Sequence, residues 1–179
     1  METATTAAID GYARAVLQVF RAEGEVDALV DAFYQAAHAL DERVELREAL
    51  TDPRLPVERK LAVLEDLLAG RLARPVVAGL GLVVAAGHGK HLVEVASRLA
   101  ELVAEEEGAA VAEVRSAVEL TEDQIERLRA ALARATGREI EVKVVVDPAL
   151  IGGVVAKIGD TVFDGSVKSQ LDELREQWG

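Results

Sequence analysis

Glu105-Glu106-Glu107-Gly108-Ala109-Ala110-Val111-Ala112-Glu113-Val114-Arg115-Ser116-Ala117-Val118-Glu119-Leu120 divides the chain into two kinds of pattern. Before it, apolar residues recur with a helical period. After Gly108 the period becomes two: Val114, Ser116 and Val118 alternate with Arg115, Ala117 and Glu119, which predicts a strand. A change of period within one chain predicts an α+β architecture, with a boundary near Glu105 to Ala110 and units covering residues 1–107 and 108–179.

Upstream, the pattern predicts five or six short helices packed as a bundle. The first runs from Ala4 to Ala22 and stops at Gly24. The second, Glu25 to Leu40, carries Val26, Leu29, Val30, Phe33, Ala37 and Leu40 on one face. A short third covers Val44 to Leu50, and Asp52-Pro53 breaks the chain. Pro56 opens a fourth, in a first-turn position where proline costs little; it carries Leu61, Leu64, Leu67 and Leu68 and ends at Gly70. A fifth spans Pro75 to Ala86 and is broken by Gly87-His88-Gly89. The sixth spans Lys90 to Glu107.

Downstream, Thr121 and Gln124 form a capping box for a helix with Ile125, Leu128 and Leu132 on one side, closed by Gly137. Ile140, Val142, Val144 and Val146 predict a second strand, with Glu141 and Lys143 on its other face. Val154 to Ile158 and Thr161 to Phe163 flank Gly159-Asp160, a two-residue hairpin turn with glycine first. Ser166 is placed to cap a final helix with Val167, Leu171, Leu174 and Trp178 on one side. The second unit is therefore a small α/β domain with a β-hairpin.

The chain has 179 residues, 50% of them hydrophobic, enough to bury a core. Its 20 Lys and Arg against 32 Asp and Glu leave a net charge of -12. That balance argues against nucleic acid as a partner, because phosphate binding needs a cationic face, and against an anionic membrane surface. No cysteine is present, so thiolate metal sites and cysteine nucleophiles are excluded. The most apolar run, Val76 to Ala86, is shorter than the ~20 residues a membrane span needs, so no direct membrane insertion is expected. Met1 to Gly11 contains Glu2 and Asp10 and lacks a basic start, which does not fit a signal peptide. The chain reads as soluble and cytoplasmic.

Catalytic patterns are not found. His38, His88 and His91 are the only histidines, have no further ligands at metal spacing, and read as exposed loop and cap residues. Gly79, Gly81, Gly87 and Gly89 fit neither phosphate-loop pattern. The Glu105-Glu106-Glu107 run reads as a solvated helix end, and Ser116, Ser166 and Ser169 lack an elbow motif. No catalytic, cofactor-binding or metal-binding residue is assigned.

Two helices do carry a positive signal. In the first, Ile9, Tyr12, Ala13, Ala15, Val16, Leu17, Val19 and Phe20 cover an arc of roughly 200° at about 100° per residue, wider than one core-facing stripe. In the fifth, Val76 to Ala86 has no polar side chain. The excess means either deep burial or a second apolar contact, and spacing alone does not separate the two.

Several motifs resemble those of a known family. Tyr12-Ala13-Arg14-Ala15 resembles the opening of the F-type ATP synthase delta subunit, the oligomycin-sensitivity-conferring protein of mitochondria. Val114 to Leu120 followed by Thr121-Glu122-Asp123-Gln124 is similar to its strand-to-helix segment. Asp147-Pro148-Ala149-Leu150-Ile151-Gly152-Gly153-Val154 resembles its signature, and Ile158-Gly159-Asp160 with Phe163-Asp164-Gly165-Ser166-Val167-Lys168 its C-terminal motif. Gly87-His88-Gly89-Lys90 stands where that family often has Asn-Gly-Arg.

The resemblance implies a six-helix N-terminal bundle and a smaller α/β C-terminal domain. It implies a non-catalytic stator role in proton-driven ATP synthesis, peripheral on the cytoplasmic face of a bacterial plasma membrane. It implies no cofactor, and as partners an alpha-subunit N-terminal helix and the b subunits of the peripheral stalk. The family places the alpha helix in a groove between helices one and five, where the over-apolar pair lies. The contact candidates are Tyr12, Ala15, Val16, Val19, Leu80, Val83 and Val84. Gly152, Gly153, Asp164, Gly165 and Ser166 read as structural: the glycines free the backbone to enter a hairpin, and Asp164-Gly165-Ser166 reads as a helix-capping turn. An unrelated helical adaptor and a small enzyme remain the rival classes.

Overall fold

The computed structural model describes residues 2–165, with side chains from Thr5 onward. Ser166 and the final helix expected to carry Val167, Leu171, Leu174 and Trp178 lie outside the described residues. The chain divides into two compact units between Val103 and Ala104.

The first unit contains helices α1 (Glu2–Glu23), α2 (Val26–Glu42), α3 (Val44–Thr51), α4 (Val57–Leu68) and α5 (Arg74–Ala85), a short 3-10 turn at Gly89–His91, and most of α6 (Leu92–Glu106). The division falls within the last turn of α6. That helix is closed by Gly108 at φ 76°, with the Ala109 N–H donating to Ala104 O at 2.8 Å. This six-to-one bond across a left-handed glycine is how a helix hands its last carbonyls to the following backbone. Pro56 is the residue just before α4, one place earlier than the spacing indicated.

Helix α5 is the centre of this unit, packing against α1, α2 and α4. Two glycines let it approach so closely. A Cβ on Gly79 would sit 3.1 Å from Val16 Cγ1 and 3.2 Å from Phe33 Cε2, and one on Gly81 would sit 3.2 Å from Leu61 Cδ2. Phe20, Phe33, Tyr34, Leu64, Leu80 and Leu99 are the largest side chains wholly enclosed there. Asp10 ties α1 to α6, accepting from Arg98 Nε at 2.8 Å and from Arg14 Nε at 2.7 Å.

The second unit holds a four-stranded sheet ordered β2-β1-β3-β4, from β1 (Ala110–Ser116), β2 (Ile140–Val146), β3 (Val154–Ile158) and β4 (Thr161–Asp164). Strand β1 pairs parallel with β2 through the crossover helix α7 (Glu122–Thr136), and antiparallel with β3. The capping box is formed: the Thr121 hydroxyl accepts from the Gln124 N–H, and the Gln124 side chain accepts from the Thr121 N–H. Leu132 of α7 is buried with Ala112, Val114, Ile140 and Ala156 of the sheet. On the opposite face Lys143 is buried and pairs with Glu141.

One expectation needs correction here. The first strand begins at Ala110 and ends at Ser116, so Ala117, Val118 and Glu119 lie outside it. Because β1 is a central strand with buried residues on both faces, its early half lacks polar alternation. Asp164 pairs with Val155 in β4, and the Gly165 N–H donates to Val154 O at 2.9 Å, extending the ladder; the capping turn expected at Asp164-Gly165-Ser166 runs outside the described residues. Of the glycine pair, Gly153 takes a positive φ of 77°. The hairpin turn has Gly159 at φ 56°, the glycine-first geometry.

Candidate partner-helix groove

The contact between α1 and α5 centres on Val16 against Gly79. Ala13, Val16, Leu17 and Phe20 of α1 and Val76, Leu80, Val83 and Val84 of α5 all turn inward from it and are buried. Each of the two helices also carries a row of apolar residues that is not buried in the core. On α1 this row is Tyr12, Ala15 and Val19, spaced i, i+3, i+7; Tyr12 is half-buried and Ala15 and Val19 are exposed. On α5 it is Ala78, Leu82 and Ala85, spaced i, i+4, i+7, all exposed. Val19 keeps 36% of its surface exposed and Leu82 37%, high values for large apolar side chains.

A cluster of rings sits where α5 ends. Gly87, at φ 81°, ends α5, and the His88 N–H donates to Val83 O at 3.0 Å. The following Gly89 lies against Leu50 O, leaving no room for a Cβ. Both constraints fix His88, whose ring lies 4.8 Å from that of Tyr12. His91 follows at 6.1 Å from His88, with Nδ1 3.3 Å from Glu94 Oε1. Asp10 and its arginines occupy the opposite flank of α1; those guanidiniums, Arg14 first and then Arg98, hold the Asp10 carboxyl below the usual carboxylate range. The whole α5 row, Ala78, Leu82 and Ala85, also lines a cleft of about 820 Å³ against α4, together with Leu61, Val77 and Gly81.

The sequence-derived contact candidates therefore separate. Tyr12, Ala15 and Val19 come together on the outer row. Val16, Leu80, Val83 and Val84 are buried and fill the core of this unit, so their assignment as groove contacts is corrected. The wheel of α5 is blank because the run from Val76 has no polar residue to mark the outside. The marker is Arg74, the exposed first residue of the helix, which shares a row with Ala78 and Leu82 at i, i+4, i+8. A helix begun at Pro75 leaves Arg74 off the wheel.

The histidines also differ from expectation. His88 and His91 are half-buried in the ring cluster, and His38 sits within α2 with its ring 4.6 Å from that of Tyr34. Among the described residues, no group of three or more His, Cys, Asp or Glu could hold a metal ion, and no helix is long and apolar enough to cross a membrane.

Residues 9–178 match the family model described as OSCP, ATP synthase delta (OSCP) subunit. The chain belongs to that family. Members are non-catalytic structural subunits of the ATP synthase that serve ATP synthesis from its peripheral stalk. An ATP synthase subunit delta of Geobacter sp. (strain M21) is 35% identical over 173 residues, covering 96% of both chains. One of Frankia alni is 42% identical over 158 residues, covering 86% of this chain and 55% of that relative; the chain thus spans about half the length of that longer protein. The fold is shared with a chain of the Toxoplasma gondii mitochondrial ATP synthase hexamer, at TM-score 0.57 and 19% identity over 95% of this chain and 96% of that one.

Proposed function

We propose that this chain is the link between the catalytic head and the peripheral stalk, holding the head against the torque of the rotor. In this reading α1 to α6 act as one six-helix bundle, residues 1–107, that receives the N-terminal helix of an alpha subunit. The α/β unit, residues 108–179, receives the b subunits of the stalk. The protein lies on the cytoplasmic face of a bacterial plasma membrane, held there by its partners.

The observation that carries the reading is that two helices in contact each bear an exposed apolar row, Tyr12, Ala15 and Val19 on α1 and Ala78, Leu82 and Ala85 on α5. An amphipathic helix laid in such a groove buries its own apolar stripe, and this mode of docking reaches ~nM affinity, about -12 kcal/mol, without a covalent bond. Small alanines in both rows permit close approach of the docked helix.

Calorimetric titration with the alpha N-terminal peptide from the same organism tests it. Val19→Asp and Leu82→Asp are expected to weaken binding by about 2 kcal/mol each, the scale of a lost interface anchor, with little change in melting temperature. Val84→Asp, which buries a charge in the core, is expected to lower the melting temperature sharply. A wild-type chain that does not bind the peptide, or surface variants that bind it undiminished, would place the alpha contact elsewhere.

A further inference from the structure

The first unit holds a second cleft, where α2, α3 and the end of α4 meet. It encloses about 320 Å³, at the lower end of the range for small-molecule sites, about 300–1,000 Å³. Two tight joints build it. Arg43 alone separates α2 from α3, an extended residue at φ -88° and ψ 98° between two helices. After α4, Gly70 takes a φ of 75°, and the Arg71 and Leu72 N–H groups both donate to Leu68 O, at 3.0 and 3.1 Å. Arg71 and Leu72 thereby return to line the same cleft as Leu67 and Leu68, with Leu40 and Leu46 opposite them in sequence on α2 and α3. The rest of the α2 side is Ala32, Ala36 and Ala39, spaced i, i+4, i+7, whose short side chains leave the space open.

The lining has an unusual charge balance for this chain. Acidic residues number 32 against 20 basic ones, yet no Asp or Glu lines this cleft, and two arginines do. Arg43 and Arg71 are both exposed, and neither forms an ion pair among the described residues. Glu45 falls instead on the neighbouring depression around Val44 and Leu46. The apolar lining is wholly aliphatic, with no ring on which a planar ligand could stack. Each arginine follows the last turn of a helix, where a cation also suits the dipole. That accounts for a cation at each place, not for the aliphatic cleft that the two share.

The geometry points to a binding site for a fatty carboxylate of medium chain length. Its aliphatic tail lies among the leucines and alanines, and its carboxylate accepts hydrogen bonds from the Arg43 and Arg71 guanidiniums. A guanidinium presents its donors in a planar fork that matches a carboxylate, and an aliphatic tail gains with each methylene taken out of water. A ligand that joins α2, α3 and α4 stabilises the first unit when bound, because it binds the folded chain alone. This site does not depend on the stator reading.

Octanoate below its micelle concentration, titrated calorimetrically into the full chain, tests it. One-to-one saturation is expected, with a rise in the melting midpoint. From hexanoate to decanoate, each added methylene is expected to tighten binding by up to about four-fold, the ratio for a fully buried methylene. Arg43→Gln with Arg71→Gln is expected to weaken octanoate about ten-fold and to leave the weaker binding of octanol unchanged. Ala39→Leu fills the cleft from α2 with both arginines retained, and is expected to abolish binding of both. Arg59→Gln, on an exposed α4 residue outside the lining, is expected to change nothing. Melting curves without ligand show that each variant is folded. Octanoate binding that survives the double arginine variant, or that octanol matches in the wild type, would overturn carboxylate recognition. A wild-type chain that binds no octanoate, or that takes only an acidic peptide at this place, would overturn the site itself.

Discussion

Gly79 and Gly11 make a matched pair of helix glycines whose replacement by alanine should act in opposite directions. Both occupy helix interiors, so each substitution gains the ordinary helix-propensity difference of about 1 kcal/mol. At Gly11 nothing lies within 4 Å of the added methyl, and the gain is realised in full. At Gly79 the methyl would lie 3.1 Å from Val16 Cγ1 and 3.2 Å from Phe33 Cε2, both side chains wholly buried. Neighbours enclosed on all sides cannot retreat without disturbing theirs, and such overpacking costs about 1–3 kcal/mol. Gly79→Ala is therefore expected to be neutral to about 2 kcal/mol destabilising, and Gly11→Ala about 1 kcal/mol stabilising. The unit that contains both ends at Val103, a size at which 1 kcal/mol moves a melting midpoint by about 4–8 °C. Circular dichroism melts of the three proteins under one set of conditions give the difference directly. If Gly79→Ala raised the midpoint as much as Gly11→Ala, the close approach of α5 to α1 and α2 would be refuted, and with it the geometry of the groove above that contact.

Two further outcomes are expected. Limited proteolysis should cut first in the solvated Glu105 to Gly108 stretch and release a helical N-terminal fragment; cleavage only after global unfolding would deny the two units their independence. Asp10 contributes stability with its carboxylate charged, since the guanidiniums lower its pKa in the folded state. That contribution is present above the unfolded value of about 3.9 and is lost as pH falls through the lower folded value, so the wild-type advantage over Asp10→Asn should shrink below about pH 4 and at high salt. A stability difference independent of pH would sink the role given to that carboxylate.

Much was legible without coordinates wherever one residue type has one local use. The period change at Gly108, the Thr121–Gln124 capping box and the Gly159-Asp160 hairpin all follow from local backbone chemistry, and each sits where the sequence placed it. Local rules failed where a segment is surrounded. Strand β1 lies in the middle of the sheet with buried residues on both faces, so Ala110 to Ala112 offers no polar alternation to read. Helix α5 packs on three others, and an all-apolar helix looks the same whichever face is covered.

The sequence by itself therefore determined, among the described residues and apart from the bounds of β1, which segments are helix and which are strand, where the chain changes character, and that helices one and five hold more apolar surface than one core face uses. Only the tertiary structure decided how that surface is shared. Gly79 brings Val16 against α5 and turns Leu80, Val83 and Val84 inward, leaving Tyr12, Ala15, Val19 and Leu82 outside. It also decided the strand order, by which residues as far apart in sequence as Ser116 and Val154 become register partners. The physical reason is the reach of the interactions. Caps, turns and periodicity act within a few residues, whereas burial depends on which distant segment arrives at a face, and the hydrophobic effect that drives burial carries no direction of its own.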